Sequence, residues 1–543
     1  MPEDTVAADP QYEAIVIGAG VCGIYTIYKL TQLGIRATVI ETGSDVGGTW
    51  YWNRYPGARF DSESISYGYS FSDDLLQEWD WKERFSGQPE NLRYLQYVTD
   101  KFHLRRHMQF NRTVESMVFD EATSSWIVRL DDGRDLTSRI VITAVGLLSA
   151  PTLPRYEGMD AFAGGSWHTF DWPQEPVDLT GKRVAVIGTG ATAIQVIGEI
   201  ADKVGDLTVF QRRPNWAAPL HNAEISPEEM AEIKTRYDEV FALCRRTPGG
   251  FVHEPDRRPF FEVPREERLA MWEKLYNEPG FGIWLANFRD TFMDEAANTE
   301  LSEFIADKIR SRVHDPVVAE KLIPKDHGFG VQRVPLETNY YEAYNRDNVH
   351  LVDLQDTPIE RIAPAGIQTT EREYEFDIIV YATGFDAITG SYDRIDIRGV
   401  DGLRLKDRWA TGPSAYLGMQ VHGFPNLLMP TGPQGGSAST NFPRGIEMGV
   451  DFVIGLLEYM IKHGYVRQEA TEEAEGEWAA HVREMYHIML MRKAQSWFTG
   501  YNSNVEGHEK GTIRYLVYNG GTPKYRARLV DVAEHDYPGI TFR

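Results

Sequence analysis

The chain has 543 residues, more than a single hydrophobic core organises, so two or three packed domains are expected. A formal net charge of −24 argues against a nucleic-acid partner, because phosphate binding relies on concentrated lysine and arginine. The two cysteines, Cys22 and Cys244, lie far apart and in no metal-ligand or C-x-x-C spacing, which excludes a disulfide framework and a cysteine-based zinc site; no metal is expected.

The opening MPEDTVAADPQYE is acidic where a secretory signal is basic and then apolar. Apolar runs such as IVITAVGLL are too short to span a bilayer and are broken by glycine, so a soluble cytoplasmic protein without a membrane partner is expected. Residues 13–50 read as strand, glycine turn, helix, strand: Ala14–Ile17, then Gly18 to Gly23, then Ile24–Leu33 at helical spacing, then Ala37–Ile40. In Gly18-Ala19-Gly20-Val21-Cys22-Gly23, Gly18 permits a tight turn, Gly20 lets backbone approach a pyrophosphate, and Gly23 lets helix and strand pack closely. The second strand ends at Glu41, placed to accept hydrogen bonds from ribose hydroxyls, which completes the fingerprint of an ADP-ribose site.

The same pattern recurs at 182–211, where Arg183–Ile187 leads into Gly188-Thr189-Gly190-Ala191-Thr192-Ala193, a helix, and the strand Leu207–Phe210. Here the second strand runs into Gln211-Arg212-Arg213 in place of an acid, and arginine suits a 2′-phosphate that a carboxylate would repel. Residues 224–330 carry apolar positions at three- and four-residue intervals and predict a helical insertion. Residues 374–384 return to a buried-strand pattern. The expected fold is α/β, with two Rossmann-like dinucleotide-binding domains and a helical insertion. The first domain takes residues 1–150 and 387–543, the second 151–223 and 331–386, and the insertion 224–330. One nucleotide fold with an acid and one with arginines indicate a flavoprotein holding FAD and reduced by NADPH. The absence of a redox cysteine pair nearly closes the disulfide-reductase branch.

Phe162-Ala163-Gly164-Gly165-Ser166-Trp167-His168-Thr169-Phe170-Asp171-Trp172-Pro173 matches F-x-G-x-x-x-H-x-x-x-W-P at every fixed position, and Gly47-Gly48-Thr49-Trp50 through Asp61 matches a second signature. On these segments, with Ala382-Thr383-Gly384 and Gly432-Pro433, the chain resembles the Baeyer–Villiger monooxygenases over essentially its whole length. The resemblance implies FAD and NADP as cofactors, and molecular oxygen and a cyclic ketone as substrates, with a lactone or ester as product. It implies that Gly48, Thr49, Trp50 and Asp61 meet the flavin. Arg333 would be the permanent cation beside the oxygen atom that bears negative charge, with Asp61 orienting its guanidinium. By the same resemblance Trp497 closes over the nicotinamide side. Phe162, Gly164, His168, Trp172 and Pro173 couple the cofactor domains, with His168 in a hinge role and not as a general base.

The chain departs from the family where Gln332 stands in place of a lysine expected at the NADP 2′-phosphate; Arg213 stands where several relatives have threonine and restores charge there. The loop Thr431–Phe442, with Gly435, Gly436, Ser437 and Ala438, resembles the family's substrate loop, and its small residues favour a roomy pocket and a bulky ketone. Two other functions stay open at this point: a flavin-dependent N- or S-oxygenase, and a nucleotide-binding flavoprotein without oxygenase activity. The sequence leaves the natural ketone and the oligomeric state open.

Overall fold

A computed structural model describes residues 9–436, 440–508 and 511–543. Its largest sheet is built around the strand Tyr12–Ile17, which pairs in parallel with Ala37–Ile40 on one side and Asp135–Thr143 on the other. Ala14–Ile17 and Ala37–Ile40 are buried on both faces, which is why they read as continuous apolar runs instead of alternating ones. Ser125–Leu130 and Val114–Asp120 extend the sheet antiparallel, and their burial alternates because one face looks outward. Two strands from late in the chain join the same sheet: Asp396–Arg398 pairs with Val114–Asp120, and Leu427–Leu428 with Asp135–Thr143.

The second sheet has five parallel strands in the order Val349–Asp353, Asp206–Gln211, Arg183–Ile187, Ile378–Tyr381, Gly165–His168. The strand pattern expected through 374–384 divides in two. Glu373–Glu375 closes a three-stranded antiparallel sheet with Ile359–Ala363 and Gly366–Thr369, while Ile378–Tyr381 enters the parallel sheet. The break falls at Phe376–Asp377, where the Phe376 N–H turns to the Ala365 carbonyl and the Asp377 carboxylate takes the Arg183 guanidinium and N–H.

The helical region begins and ends at a parallel pair of two-residue strands, Ala218–Pro219 and Leu336–Glu337, which returns the chain to the second domain. Side-chain caps start its helices: Ser226 accepts from the Glu229 N–H and Asp294 from the Ala297 N–H. It does not pack as one block. Trp272, Leu301, Ile305 and Ile309 share a core with the second sheet. Met230, Tyr237 and Phe241, from the helices Pro227–Thr235 and Tyr237–Arg246, join the core of the first sheet instead. Helical periodicity marks which face is apolar and is silent on what that face meets. Among the described residues no helix is long and apolar enough to cross a membrane.

Candidate active site

Both glycine turns sit where a parallel strand hands over to a helix. Gly20 ends the turn before the helix Val21–Gln32, and Gly190 does so before Ala191–Ile200; neither helix has a side-chain cap, so its first N–H groups are free to meet a phosphate. In the first turn Gly18 has φ +103° and a Cβ there would lie 2.5 Å from the Ala144 carbonyl oxygen, while a Cβ on Gly48 would lie 2.7 Å from the Cα of Gly20. Gly23 lies against the Gly18 carbonyl, where no side chain fits. A Cβ on Gly190, by contrast, would meet nothing within 4 Å, so its backbone faces open space. Glu41 is buried, and its carboxylate accepts the Ala19 and Gly43 N–H groups, each at 2.7 Å, which braces the first turn. Burial raises its pKa against the pull of those N–H donors. These cradles fit a dinucleotide at each turn.

Between the two folds lies a cavity of about 1280 Å³, lined by Gly18, Gly20, Glu41, Gly48, Thr49, Trp50 and Asp61 from the first fold and by Thr192 from the second. Arg333 and Trp497 also line it. Arg333 Nη2 lies 2.6 Å from Asp61 Oδ2. The Asp61 side chain is 1 % exposed, and its carboxylate also accepts the Leu336 N–H at 3.1 Å and Gln195 Nε2 at 3.4 Å. The other terminal guanidinium nitrogen, Arg333 Nη1, is buried and has no hydrogen-bond partner among the described residues. A buried cationic donor left unsatisfied is costly, and it marks where an anionic or strongly polar oxygen fits.

The remaining predicted residues are distributed around this centre. Thr189 Oγ donates to the Arg213 carbonyl at 2.6 Å and ties the second turn to the arginine pair. Arg212 hydrogen-bonds Ser503. Arg213 reaches Gln495 Oε1 at 2.9 Å and Asp326 Oδ2 at 3.2 Å and stacks on Tyr501, so both arginines touch the segment that carries Trp497. Gln332 Nε2 donates to Asn215 Oδ1 at 2.7 Å. His168 is buried, accepts the Phe170 N–H at Nδ1 and meets the Gly384 carbonyl at Nε2, each at 3.1 Å. These partners specify the neutral Nε2–H tautomer, and burial lowers its pKa to about 4. A ring with both nitrogens engaged has no lone pair to offer as a base. Gly164 lies under the Phe162 ring, where a Cβ would meet it at 2.7 Å. Trp172 packs on Trp167, with Pro173 directly following; the fixed positions of the fingerprint sit at the junction beside the cavity, while Phe170 and Asp171 between them line its wall.

Of the loop expected at the substrate, Thr431, Thr440 and Phe442 line the cavity. Gly435 and Gly436 are buried and are not among the residues lining the cavity. Gly435 packs against the backbone of Gly418, and a Cβ on Gly436 would lie 2.3 Å from the Tyr525 ring, so their small size serves close packing. Ser437 and Ala438 lie outside the described residues.

Residues 15–246 match the model of the pyridine nucleotide-disulphide oxidoreductase family. Over 540 residues the chain is 46% identical to the 2-oxo-Δ3-4,5,5-trimethylcyclopentenylacetyl-CoA monooxygenase of Pseudomonas putida, covering 98% of this chain and 99% of that one. It is 39% identical over 532 residues to the cyclohexanone 1,2-monooxygenase of Acinetobacter sp., covering 97% and 96%. A crystal structure of OTEMO in complex with FAD and NADP superposes with a TM-score of 0.95 at 45% identity, covering 99% of this chain and all of that one. The chain belongs to the Baeyer–Villiger monooxygenase family.

Within this Baeyer–Villiger fold the structure brings in residues that sequence reading passes over. Gln195, on the helix after the second glycine turn, donates to the Arg59 carbonyl at 3.0 Å and accepts from the Tyr55 hydroxyl at 2.8 Å, so it binds the Asp61 loop to the second domain. Burial pushes the Tyr55 hydroxyl up to about 12, which keeps it a donor. No local pattern distinguishes Gln195 from any other helix residue. An aromatic wall continues from Arg333: Phe281 at 6.0 Å, then Phe251 and Trp284 at 5.3 and 5.4 Å from Phe281. Trp284 Nε1 donates to the Gly330 carbonyl at 3.2 Å and anchors that wall to the Arg333 segment. Cys22 and Cys244 are both free and buried, so the disulphide chemistry in the matched family's description has no counterpart in this pair.

Proposed function

We propose that this chain is an FAD- and NADPH-dependent Baeyer–Villiger monooxygenase that converts cyclic ketones to lactones. One oxygen atom of O2 would enter beside the carbonyl carbon and the other would leave as water, with NADPH oxidised to NADP+ and one proton consumed. Gly18, Gly20, Gly48, Thr49, Trp50 and Glu41 would hold FAD, and Gly188, Thr189, Gly190, Thr192, Arg212, Arg213 and Gln332 would hold NADP, with Trp497 closing that side. Bound flavin supplies the electrons that activate oxygen.

The observation that carries the reading is the buried, unpartnered Nη1 of Arg333 in the cavity between the two nucleotide turns. Arginine stays protonated throughout the working pH range, so it stabilises negative charge on oxygen without itself changing state. Asp61 holds the guanidinium through Nη2 and balances its charge, which leaves Nη1 free to meet the oxygen that would take up negative charge. The aromatic wall of Phe281, Phe251 and Trp284 excludes water and receives the ketone ring. His168, neutral and locked between Phe170 and Gly384, would transmit movement between the cofactor domains.

Residues 1–150 and 387–543 would form the FAD domain, and 151–223 with 331–386 the NADP domain, in a cytoplasmic enzyme whose partners are the ketone and O2. The test is turnover of a panel of cyclic ketones with NADPH and 18O-labelled oxygen, followed by mass spectrometry. A lactone carrying one labelled atom is expected. Peroxide from every ketone, with label appearing in added sulfides or amines, would overturn the reading in favour of heteroatom oxygenation.

A further inference from the structure

The cavity changes character along its length. At Asp61 and Arg333 the carboxylate is buried and the guanidinium half-buried, and the Phe281, Phe251 and Trp284 rings follow in turn from that pair. At the outer end the lining becomes cationic: Arg246, Arg257, Arg289 and Lys524 are all exposed and all line the same cavity.

The backbone gathers these four from three separate segments. Arg246 and Arg257 both approach Glu254, at 3.7 and 3.4 Å. Asp256 bridges Phe288, which brings Arg289 beside Arg257. The Thr522 N–H donates to the Pro248 carbonyl at 2.8 Å, which brings Lys524 to the same rim. Among the described residues Glu254 is the single carboxylate at this end of the lining, and both of its contacts exceed 3.3 Å. On a chain of net charge −24, four cations around one opening form a local field opposite in sign to the rest of the surface. Such a field raises the local concentration of anions and orients them on approach.

We infer that the preferred substrates are ketones carrying an anionic tail, with the ketone ring among Phe281, Phe251 and Trp284 and the carboxylate or phosphate of the tail at the rim of Arg246, Arg257, Arg289 and Lys524. This rests on the oxygenase reading above and adds the substrate's charge to it. A neutral ketone of the same size fills the inner chamber equally well and leaves the four cations to water. The difference between the two substrates therefore appears in KM and in salt dependence, because exposed charges are screened at ionic strengths where apolar packing is not.

The experiment compares 2-oxocyclopentaneacetate, its methyl ester and its coenzyme A thioester on the FAD-loaded enzyme with NADPH. The free acid and the thioester separate a carboxylate source of negative charge from a phosphate source. The better anionic substrate is expected to exceed the ester in kcat/KM by about tenfold, mostly through KM, with the advantage shrinking as salt rises from about 0.02 to about 0.2 M. The triple substitution Arg246→Gln, Arg257→Gln, Arg289→Gln is expected to bring that ratio toward one. Calorimetric binding of each compound to the NADP+-loaded holoenzyme reads the rim independently of turnover. Selective, salt-sensitive binding of the anions without any lactone would overturn the oxygenase reading and sustain the charged rim. Equal binding and equal turnover of ester and anions would overturn the rim and leave the oxygenase standing.

Discussion

Asp61 takes its position from donors that converge from distant parts of the chain: the Arg333 guanidinium, the Leu336 N–H and the Gln195 amide. Its removal frees the guanidinium from its plane and leaves the Leu336 N–H without an acceptor. Asp61→Ala is therefore expected to lower lactone formation about a hundredfold, the scale of losing one preorganised electrostatic contact. NADPH should still be consumed, with peroxide in place of lactone; unchanged lactone yield per NADPH would sink the assignment. His168 gives a pH signature of a different kind. Burial lowers its pKa from 6.5 to about 4, so in that window the unfolded chain binds a proton that the folded chain refuses. Stability then rises with pH across the window and is lost as pH falls through it. The loss is about 2 kcal/mol by about pH 5 and about 3 kcal/mol in full. The Tm of His168→Gln should accordingly fall less between pH 7 and pH 5 than that of the parent, and parallel curves would contradict the neutral, buried ring.

The two glycines of the second turn do different work within one element. Gly188 has φ +117°, and a Cβ there would lie 2.4 Å from the Ala382 carbonyl oxygen, so Gly188→Ala strains the backbone and should lower Tm. Gly190 has ordinary extended backbone and open space where its Cβ would point. Gly190→Ala should fold normally, keep its flavin and raise KM for NADPH about tenfold, because the methyl occupies the approach of the pyrophosphate. If Gly190→Ala loses Tm as Gly188→Ala does, the open cradle is misassigned. At this scale the sequence is most readable where strands are buried on both faces: Ala37–Ile40 and Arg183–Ile187 form with the bounds their apolar runs predict. Reading fails where partners decide. The run at 374–384 divides because Asp377 has Arg183 to pair with, and the first two helices of the 224–330 block leave it for the core of the first sheet. In the site, the glycine turns and Glu41 are legible from spacing, whereas Asp61 and Arg333 come into view only through family resemblance. Their meeting, and the hold of Gln195 on both the Arg59 carbonyl and Asp61, are products of tertiary structure.

For the molecule as a whole, the arginines of the proposed NADP site are tied to the docking of the late segment that carries Trp497. Arg213 divides its charge between Asp326 and Gln495 and stacks on Tyr501, while Arg212 engages Ser503. Gln332, where the resemblance leads one to expect a lysine, is neutral and donates to Asn215. On the proposed function, the field available to a 2′-phosphate would be two arginines, one of them partly neutralised by Asp326. NADPH should be preferred over NADH in kcat/KM, but by about tenfold, roughly the 1.4 kcal/mol of one screened charge contact. Gln332→Lys and Asp326→Asn should each widen the preference, the first by adding a cation and the second by releasing one. Arg213→Ala should abolish it. Because the same side chain also holds the Gln495 carbonyl next to Trp497, that variant should divert more NADPH to peroxide, whereas Asp326→Asn should not. Steady-state kcat/KM with both coenzymes, together with peroxide formed per NADPH, checks the set. A preference for NADH in the parent, or an Arg213→Ala variant with unaltered coenzyme ratio, would remove the arginine pair from the phosphate site and leave it only the docking of the Trp497 segment.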